Sequence, residues 1–132
     1  GLGPFVDALP SELSGGMMQR VSIARVFALR APLLLADEPF SALDELTRVE
    51  MRYLLLSLWE RSGSTVLFVT HSIPEAVVLS DRAVVLAARP GRITKVIDVV
   101  LPRPRDESIE DTEEYREILR EVRSALKEGW SH

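Results

Sequence analysis

The chain has 132 residues, of which 46% are hydrophobic and 27% are charged, and its formal net charge is −4. This is the balance of one compact globular domain, and it excludes a disordered chain, a collagen-like repeat and a coiled-coil rod. The absence of cysteine excludes disulfide scaffolds, zinc–thiolate sites and cysteine nucleophiles. We expect no signal peptide and no membrane helix, because no apolar run approaches the roughly 18 residues that a membrane helix needs.

The charge is unevenly distributed. Residues 106–132 hold nine of the 20 acidic side chains and only four of the 16 basic ones. The remainder of the chain is nearly neutral and has no basic patch large enough for duplex binding. We therefore expect no nucleic acid among the partners.

The predicted elements alternate between helix and strand. In chain order, the patterns predict a helix over 14–30, a strand buried on both faces over 33–36, a helix over 45–61, a second buried strand over 65–70, a short helix over 72–79, two strands over 83–87 and 93–101 joined at Pro90-Gly91, and a tail helix with apolar residues at Tyr115, Ile118, Leu119, Val122 and Leu126. This order predicts an α/β fold with a mainly parallel sheet flanked by helices and a C-terminal helix.

Two local patterns refine this prediction. Ser72-Ile73-Pro74-Glu75 has the spacing of a capping box at the start of the short helix. Pro102-Arg103-Pro104-Arg105 indicates a stiff linker. The chain is therefore predicted to divide into residues 1–101 and residues 102–132, the second part being the linker and the amphipathic helix.

The segment from Leu13 to Arg20 carries the first candidate site. Ser14 is a good N-cap, and Gly15 and Gly16 open the helix with bare backbone. Such a helix start lets an anion approach free N–H groups and benefits from the helix dipole. A glycine turn that merely opens a helix is the alternative.

Three more segments carry candidate groups. An apolar strand delivers the adjacent carboxylates of Asp37 and Glu38 at its end, where α/β sheets place ligands. A first carboxylate suits Mg²⁺ and a second suits an attacking water, although adjacent carboxylates also occur in solvated loops. Asp44, taken alone, is an ordinary helix N-cap, and His71, taken alone, is a histidine at the end of a strand.

Together and in this order, these segments resemble the motifs of ABC ATPases. Leu13 to Arg20 resembles the signature segment, although Met18 stands where many importers have a basic or polar residue. The strand ending at Asp37 looks like Walker B, the segment ending at Asp44 looks like the D-loop, and His71 is similar to the H-loop histidine. The resemblance implies the C-terminal part of an ABC-type P-loop NTPase domain over residues 1–101. It implies ATP and Mg²⁺ as cofactors, with the following roles: nucleotide contacts from Ser14, Gly15, Gly16, Gln19 and Asp44, magnesium at Asp37, and catalysis by Glu38 and His71.

Further segments resemble the nitrate, sulfonate and taurine importers within this family. These are His71 to Ala76, Ala88 to Ile93 and Leu101 to Arg105. The resemblance implies ATP hydrolysis that powers import of a small anion or organic solute. It also implies a homodimer of nucleotide-binding domains, membrane permease subunits, an indirectly acting solute-binding protein, and a peripheral location on the cytoplasmic face of the inner membrane.

The phosphate loop of this family is missing from the sequence. Neither of the two lysines, Lys95 and Lys127, lies in a Gly-x-x-x-x-Gly-Lys context, and the one glutamine, Gln19, belongs to the signature segment rather than to a Q-loop. We therefore expect a fragment that is inactive alone. The alternatives are a non-enzymatic half-domain that acts in trans with a phosphate-loop partner, an ABC ATPase without a transport role, and a non-functional remnant.

Overall fold

The structure, a computed structural model, describes residues 1–130. The chain forms two compact units, unit 1 with residues 1–69 and unit 2 with residues 70–132. The predicted α/β class with a C-terminal helix is confirmed. The predicted division into residues 1–101 and 102–132 stays a prediction.

Unit 1 contains two helices and two parallel strands. They are α1 (Gly15–Ala28), β1 (Leu33–Asp37), α2 (Glu45–Ser62) and β2 (Thr65–Val69), preceded by the 3-10 turns Gly3–Phe5 and Pro10–Glu12. β1 and β2 pair so that Leu33 lies opposite Thr65 and Asp37 lies opposite Val69. The buried apolar side chains of the unit are Ile23, Leu34, Phe40, Met51 and Leu56.

The ends of these helices follow from single residues. Ser14 and Asp44 are the N-caps of α1 and α2, and each side chain accepts a hydrogen bond from an amide three residues on. Gly63 ends α2 with φ at 68°, a left-handed conformation that glycine adopts without a steric penalty. The capping chemistry thus sets where the elements of unit 1 begin and end.

One face of the β1–β2 sheet is exposed. Leu35 and Leu67, which lie opposite each other in the parallel register, are 72% and 60% exposed, and Leu33 and Val69 on the same face are exposed as well. The expectation of strands buried on both faces is therefore wrong for unit 1. Apolar runs predict burial, but burial requires a second layer, and no element among the described residues of unit 1 covers this face.

Unit 2 contains an antiparallel hairpin covered by helices. Its elements are α3 (Ile73–Leu79), β3 (Arg82–Ala88), β4 (Gly91–Asp98), the 3-10 turn Glu107–Asp111 and α4 (Glu113–Trp130). Burial alternates strictly along β3, because α4 packs against the hairpin and α3 and covers one face. The parallel pairing is thus confined to β1 and β2. The turn at Pro90-Gly91 joins β3 and β4 as predicted, and these two strands are antiparallel.

The segment 102–105 is fixed by a buried arginine. Arg105 is 6% exposed, and its guanidinium donates hydrogen bonds to backbone carbonyls from α3 and from the segment after β4. The strand predicted to reach Leu101 ends at Asp98, because Asp98 pairs with Arg82, the first residue of β3. The carbonyls of Val99 and Leu101 accept hydrogen bonds from Arg105 instead. The other main-chain acceptors of Arg105 are Val77, Val78, Ser80 and Pro102.

Candidate functional site

The start of α1 leaves open space beside its backbone. Ser14 Oγ accepts the amide of Met17 at 3.2 Å, which leaves the hydroxyl proton free to be donated elsewhere. A β-carbon at Gly15 would meet no atom within 4 Å, and one at Gly16 would lie 3.6 Å from Thr47 Cγ2, an ordinary contact. Neither glycine is therefore required by packing within the described chain. A bare helix start with free space fits an anion that approaches the N–H groups.

The two predicted carboxylates lie at the carboxyl end of β1. Asp37 is the last residue of the strand and is exposed on the same face as Leu35. The next residue, Glu38, has φ at 49° in the left-handed region, which is uncommon for a residue with a side chain. Its amide donates to the carbonyl of Val69 at 2.8 Å, so the end of β2 holds this conformation. Backbone strain of this kind is concentrated at functional sites.

Gln19 connects α1 to the turn that follows Glu38. Its Nε2 donates to the carbonyl of Pro39 at 2.9 Å, and the side chain is half-buried. The amide that the sequence assigns to a nucleotide is thus bound to the main chain next to Glu38, the carboxylate predicted to be catalytic. This contact fixes α1 relative to the turn that follows β1 within unit 1.

Asp44 lies at the start of α2, close to the glycines of α1. Its Oδ1 accepts the Thr47 amide at 3.0 Å and its Oδ2 accepts the Thr47 hydroxyl at 2.8 Å. These bonds, the backbone bond first, lower the pKa of Asp44 below the usual value of 3.8. The same Thr47 faces Gly16, so the signature and D-loop segments lie side by side.

His71 belongs to unit 2 and is exposed in the turn between Thr70 and Ser72. Ser72 is the N-cap of α3 and its side chain accepts the amide of Glu75, which is one half of the predicted capping box. In the other half, the amide of Ser72 donates to Thr70 Oγ1 rather than to the Glu75 carboxylate. Unit 1 thus brings together seven of the eight predicted site residues, all except His71. The roles assigned to all eight stay predictions.

The described residues hold no group of three or more histidine, aspartate or glutamate side chains that forms a metal site by itself. An exposed carboxylate such as Asp37 nevertheless suits Mg²⁺, which usually keeps several waters and takes one or two protein carboxylates. The donor chemistry therefore fits a magnesium ion carried with phosphate, rather than a protein cage.

Sequence reasoning missed two buried charged residues of unit 2. Glu75 was assigned only to the capping box, yet it is 3% exposed and accepts the Thr70 hydroxyl. Arg105 was assigned to a linker, yet its guanidinium lies in the core of unit 2. A charged residue in a short helix, or directly after a proline, gives no pattern of burial, so only the fold reveals both.

No helix in residues 1–130 is long and apolar enough to cross a membrane.

Comparisons with known proteins agree with the motifs. The ABC transporter family model matches residues 3–41. A Brucella melitensis biotype 1 protein that carries the name of an ATP-binding protein is 52% identical over 126 residues, which is 96% of this chain and 53% of the relative. An uncharacterized ABC transporter ATP-binding protein of Methanocaldococcus jannaschii is 53% identical over 90% of this chain and 45% of its own length.

A third relative carries a transport function in its name. The aliphatic sulfonates import ATP-binding protein SsuB 1 of Pseudomonas savastanoi pv. phaseolicola is 54% identical over 106 residues, covering 80% of this chain and 45% of the relative. The chain spans about half the length of the curated relatives it matches. With the signature-like, Walker B-like and D-loop-like segments all in unit 1, these likenesses show that the chain is similar over most of its length to ATP-binding proteins of ABC transporters.

Proposed function

We propose that the native protein containing this chain hydrolyses ATP to drive import of a small anion or organic solute. The name of one relative, an aliphatic sulfonates import ATP-binding protein, supports this proposal. The observation that carries this proposal is the pair Asp37 and Glu38 at the end of β1, with Glu38 in a left-handed turn. The 132-residue chain alone, which has no phosphate loop in its sequence, is expected to be inactive.

Each site residue then has a defined task. Asp37 holds Mg²⁺, usually through water, and the ion neutralises phosphate charge when it is bound. Glu38 orients and polarises the attacking water, and His71 contacts the γ-phosphate. Ser14, Gly15 and Gly16 cap the γ-phosphate of the ATP that a second copy holds, with Gln19 and Asp44 on the same surface.

Two exposed sheet faces support a longer native polypeptide. Unit 1 exposes Leu35 and Leu67, and unit 2 exposes Leu86 and Ile93, which face each other across the hairpin. Contiguous apolar patches of this kind mark surfaces that another chain segment or partner covers. We propose that the segment carrying the phosphate loop covers them, and that the assembled protein works as a homodimer with permease subunits at the cytoplasmic face of the membrane.

The experiment is ATP turnover by the native protein carrying Glu38→Gln. We expect ATP binding to be retained and the turnover rate to fall by about 100-fold or more, because the polarising carboxylate is lost while shape is kept. Glu117→Gln, an exposed change on α4, is the matched control and should leave turnover unchanged. Unchanged turnover in the Glu38→Gln protein would remove Glu38 from the catalytic role.

The signature segment is tested separately. Ser14→Arg places a long cation in the open space beside Gly15 and should block closure of two copies on ATP. Each copy should still bind nucleotide, since its own pocket is unaltered. Full ATPase activity of the Ser14→Arg protein in the assembled dimer would contradict the proposed role of this helix start.

A further inference from the structure

A chain of hydrogen bonds closes the turn that carries His71. The amide of Ser72 donates to Thr70 Oγ1 at 2.9 Å, and Thr70 Oγ1 donates to Glu75 Oε2 at 2.5 Å. The amide of Glu75 in turn points at Ser72 Oγ at 3.5 Å. The residues directly before and after His71 are therefore bound to each other and to Glu75, while His71 itself is exposed.

Which atom donates and which accepts in each bond follows from the groups that carry a hydrogen. Because Ser72 supplies an N–H, Thr70 Oγ1 must accept it, and the hydroxyl proton of Thr70 is then directed at the carboxylate. A hydrogen bond from a hydroxyl to an ionised carboxylate is about twice as strong as one between neutral groups. With Glu75 only 3% exposed, water competes little for these bonds.

The helix that carries Glu75 is also held at its other end. Arg105 donates to the carbonyls of Val78 and Ser80, each at 2.8 Å, and Arg103 donates to the carbonyl of Leu79 at 3.1 Å. Cations at a helix C-terminus satisfy its last carbonyls and complement its dipole. These bonds hold the backbone of α3 in place, and so they also fix the position of Glu75, which binds Thr70.

We propose that Glu75 is a positioning residue for His71, acting through the Thr70 hydroxyl. A complete capping box would join the Glu75 carboxylate directly to the amide of Ser72, without Thr70. The route through Thr70 instead fixes the backbone on both sides of the imidazole. Catalytic groups depend on such support, because a misplacement of about 1 Å can cost about 100-fold in rate. This inference rests on the proposed function for the task of His71, but not for the way in which His71 is held.

The test uses the native protein labelled with ¹⁵N-histidine, with the His71 ring signals assigned by their loss in His71→Asn. Thr70→Val removes the hydroxyl at constant shape, and Glu75→Gln removes the charge at constant shape. We expect both changes to shift the His71 ring signals and to lower kcat by about tenfold to 100-fold without changing ATP affinity. Thr70→Ser, which keeps the hydroxyl, should restore the ring signals and most of the rate.

A matched control separates positioning from folding. Val77→Ala trims a buried side chain of α3 outside the hydrogen-bonded chain, so it should lower the unfolding midpoint without moving the His71 ring signals. Glu75→Gln should cause no further loss of turnover in the His71→Asn background, since it acts through that residue.

Two results would overturn the inference. One is a pair of Thr70→Val and Glu75→Gln proteins that lose stability but keep the His71 ring signals, which would leave Glu75 as a cap only. The other is an equal loss of turnover from Glu75→Gln with and without His71. Full activity of His71→Asn alone would instead count against the proposed catalytic role, and the ring signals would still decide whether Glu75 positions the imidazole.

Discussion

Unit 1 and unit 2 use their strands in different ways. In unit 2, α4 covers one face of the β3–β4 hairpin, and every second residue of β3 is buried. In unit 1, Leu34 is the one residue of the two paired strands that is buried, while the opposite face exposes four apolar side chains. The predicted nucleotide-contacting groups lie mostly in the unit with the less complete core. Both units leave one apolar sheet face exposed, but the other face is more completely buried in unit 2 than in unit 1.

The largest effect is expected at the centre of unit 2. Arg105→Met should lower the free energy of unfolding by about 3–5 kcal/mol, because it leaves several buried carbonyls without donors. Arg105→Lys should recover little, since an ammonium cannot reproduce the planar guanidinium. Denaturant unfolding measures both.

Arg103→Ala is the matched control for that prediction. Arg103 pairs with the exposed Asp81. Its replacement by alanine should therefore lower the free energy of unfolding by only about 1 kcal/mol. If Arg105→Met cost no more than Arg103→Ala, the buried guanidinium would not be what completes unit 2.

Losses of unfolding free energy of intermediate size distinguish the buried core of unit 2 from the exposed sheet face of unit 1. Val77→Ala, at a side chain with 0% exposure in unit 2, should cost about 2 kcal/mol through lost packing. Leu67→Ala, on the exposed face of unit 1, should cost less than about 0.5 kcal/mol in the 132-residue chain. In the native protein the cost of Leu67→Ala should rise to about 2 kcal/mol if a further segment covers this face. Equal small costs in both proteins would show that the face stays in water.

The smallest expected effects concern how stability depends on pH, and they lie at opposite ends of the pH range in the two units. The pKa of Asp44 in unit 1 is lowered by its bonds to Thr47, so its stabilisation is present above the ordinary value of 3.8 and is lost as the pH falls through the folded value. The pKa of Lys95 in unit 2 is raised by the Glu121 carboxylate, so its stabilisation is present below 10.5 and is lost as the pH rises through the folded value.

Thermal unfolding across pH measures both contributions. Asp44→Asn should flatten the acid limb of the stability curve, and Lys95→Met should flatten the alkaline limb. An unchanged acid limb in Asp44→Asn would mean that the bonds to Thr47 contribute no stability.

Local chemistry made much of unit 1 predictable. Ser14, Asp44 and Gly63 act through bonds or φ values within a few residues of themselves, so the sequence predicts the ends of α1 and α2. The short helix after Ser72 and the turn at Pro90-Gly91 were predictable for the same reason. These features need no knowledge of distant parts of the chain.

The missed features depend on distant partners. The apolar run of β1 predicts burial, but whether Leu35 is buried depends on a layer that the periodicity of the strand does not encode. Glu75 and Arg105 are buried because they satisfy particular backbone and hydroxyl groups, some of them far away along the chain. The motifs predict a phosphate-contacting helix start at α1 and two carboxylates at the end of β1, and the Gln19 bond to the Pro39 carbonyl connects these two segments within unit 1.

Unit 2 is completed late during synthesis, because Arg105 follows the Ser80 carbonyl that it binds by 25 residues. The ribosome therefore releases α3 well before the side chain that satisfies its last carbonyls. Until then this helix end depends on water, and the Thr70–Glu75 hydrogen bond forms on a helix that can still fray. A premature stop or a proteolytic cut before residue 105 should consequently loosen the turn at His71, although that turn lies more than thirty residues earlier in the chain.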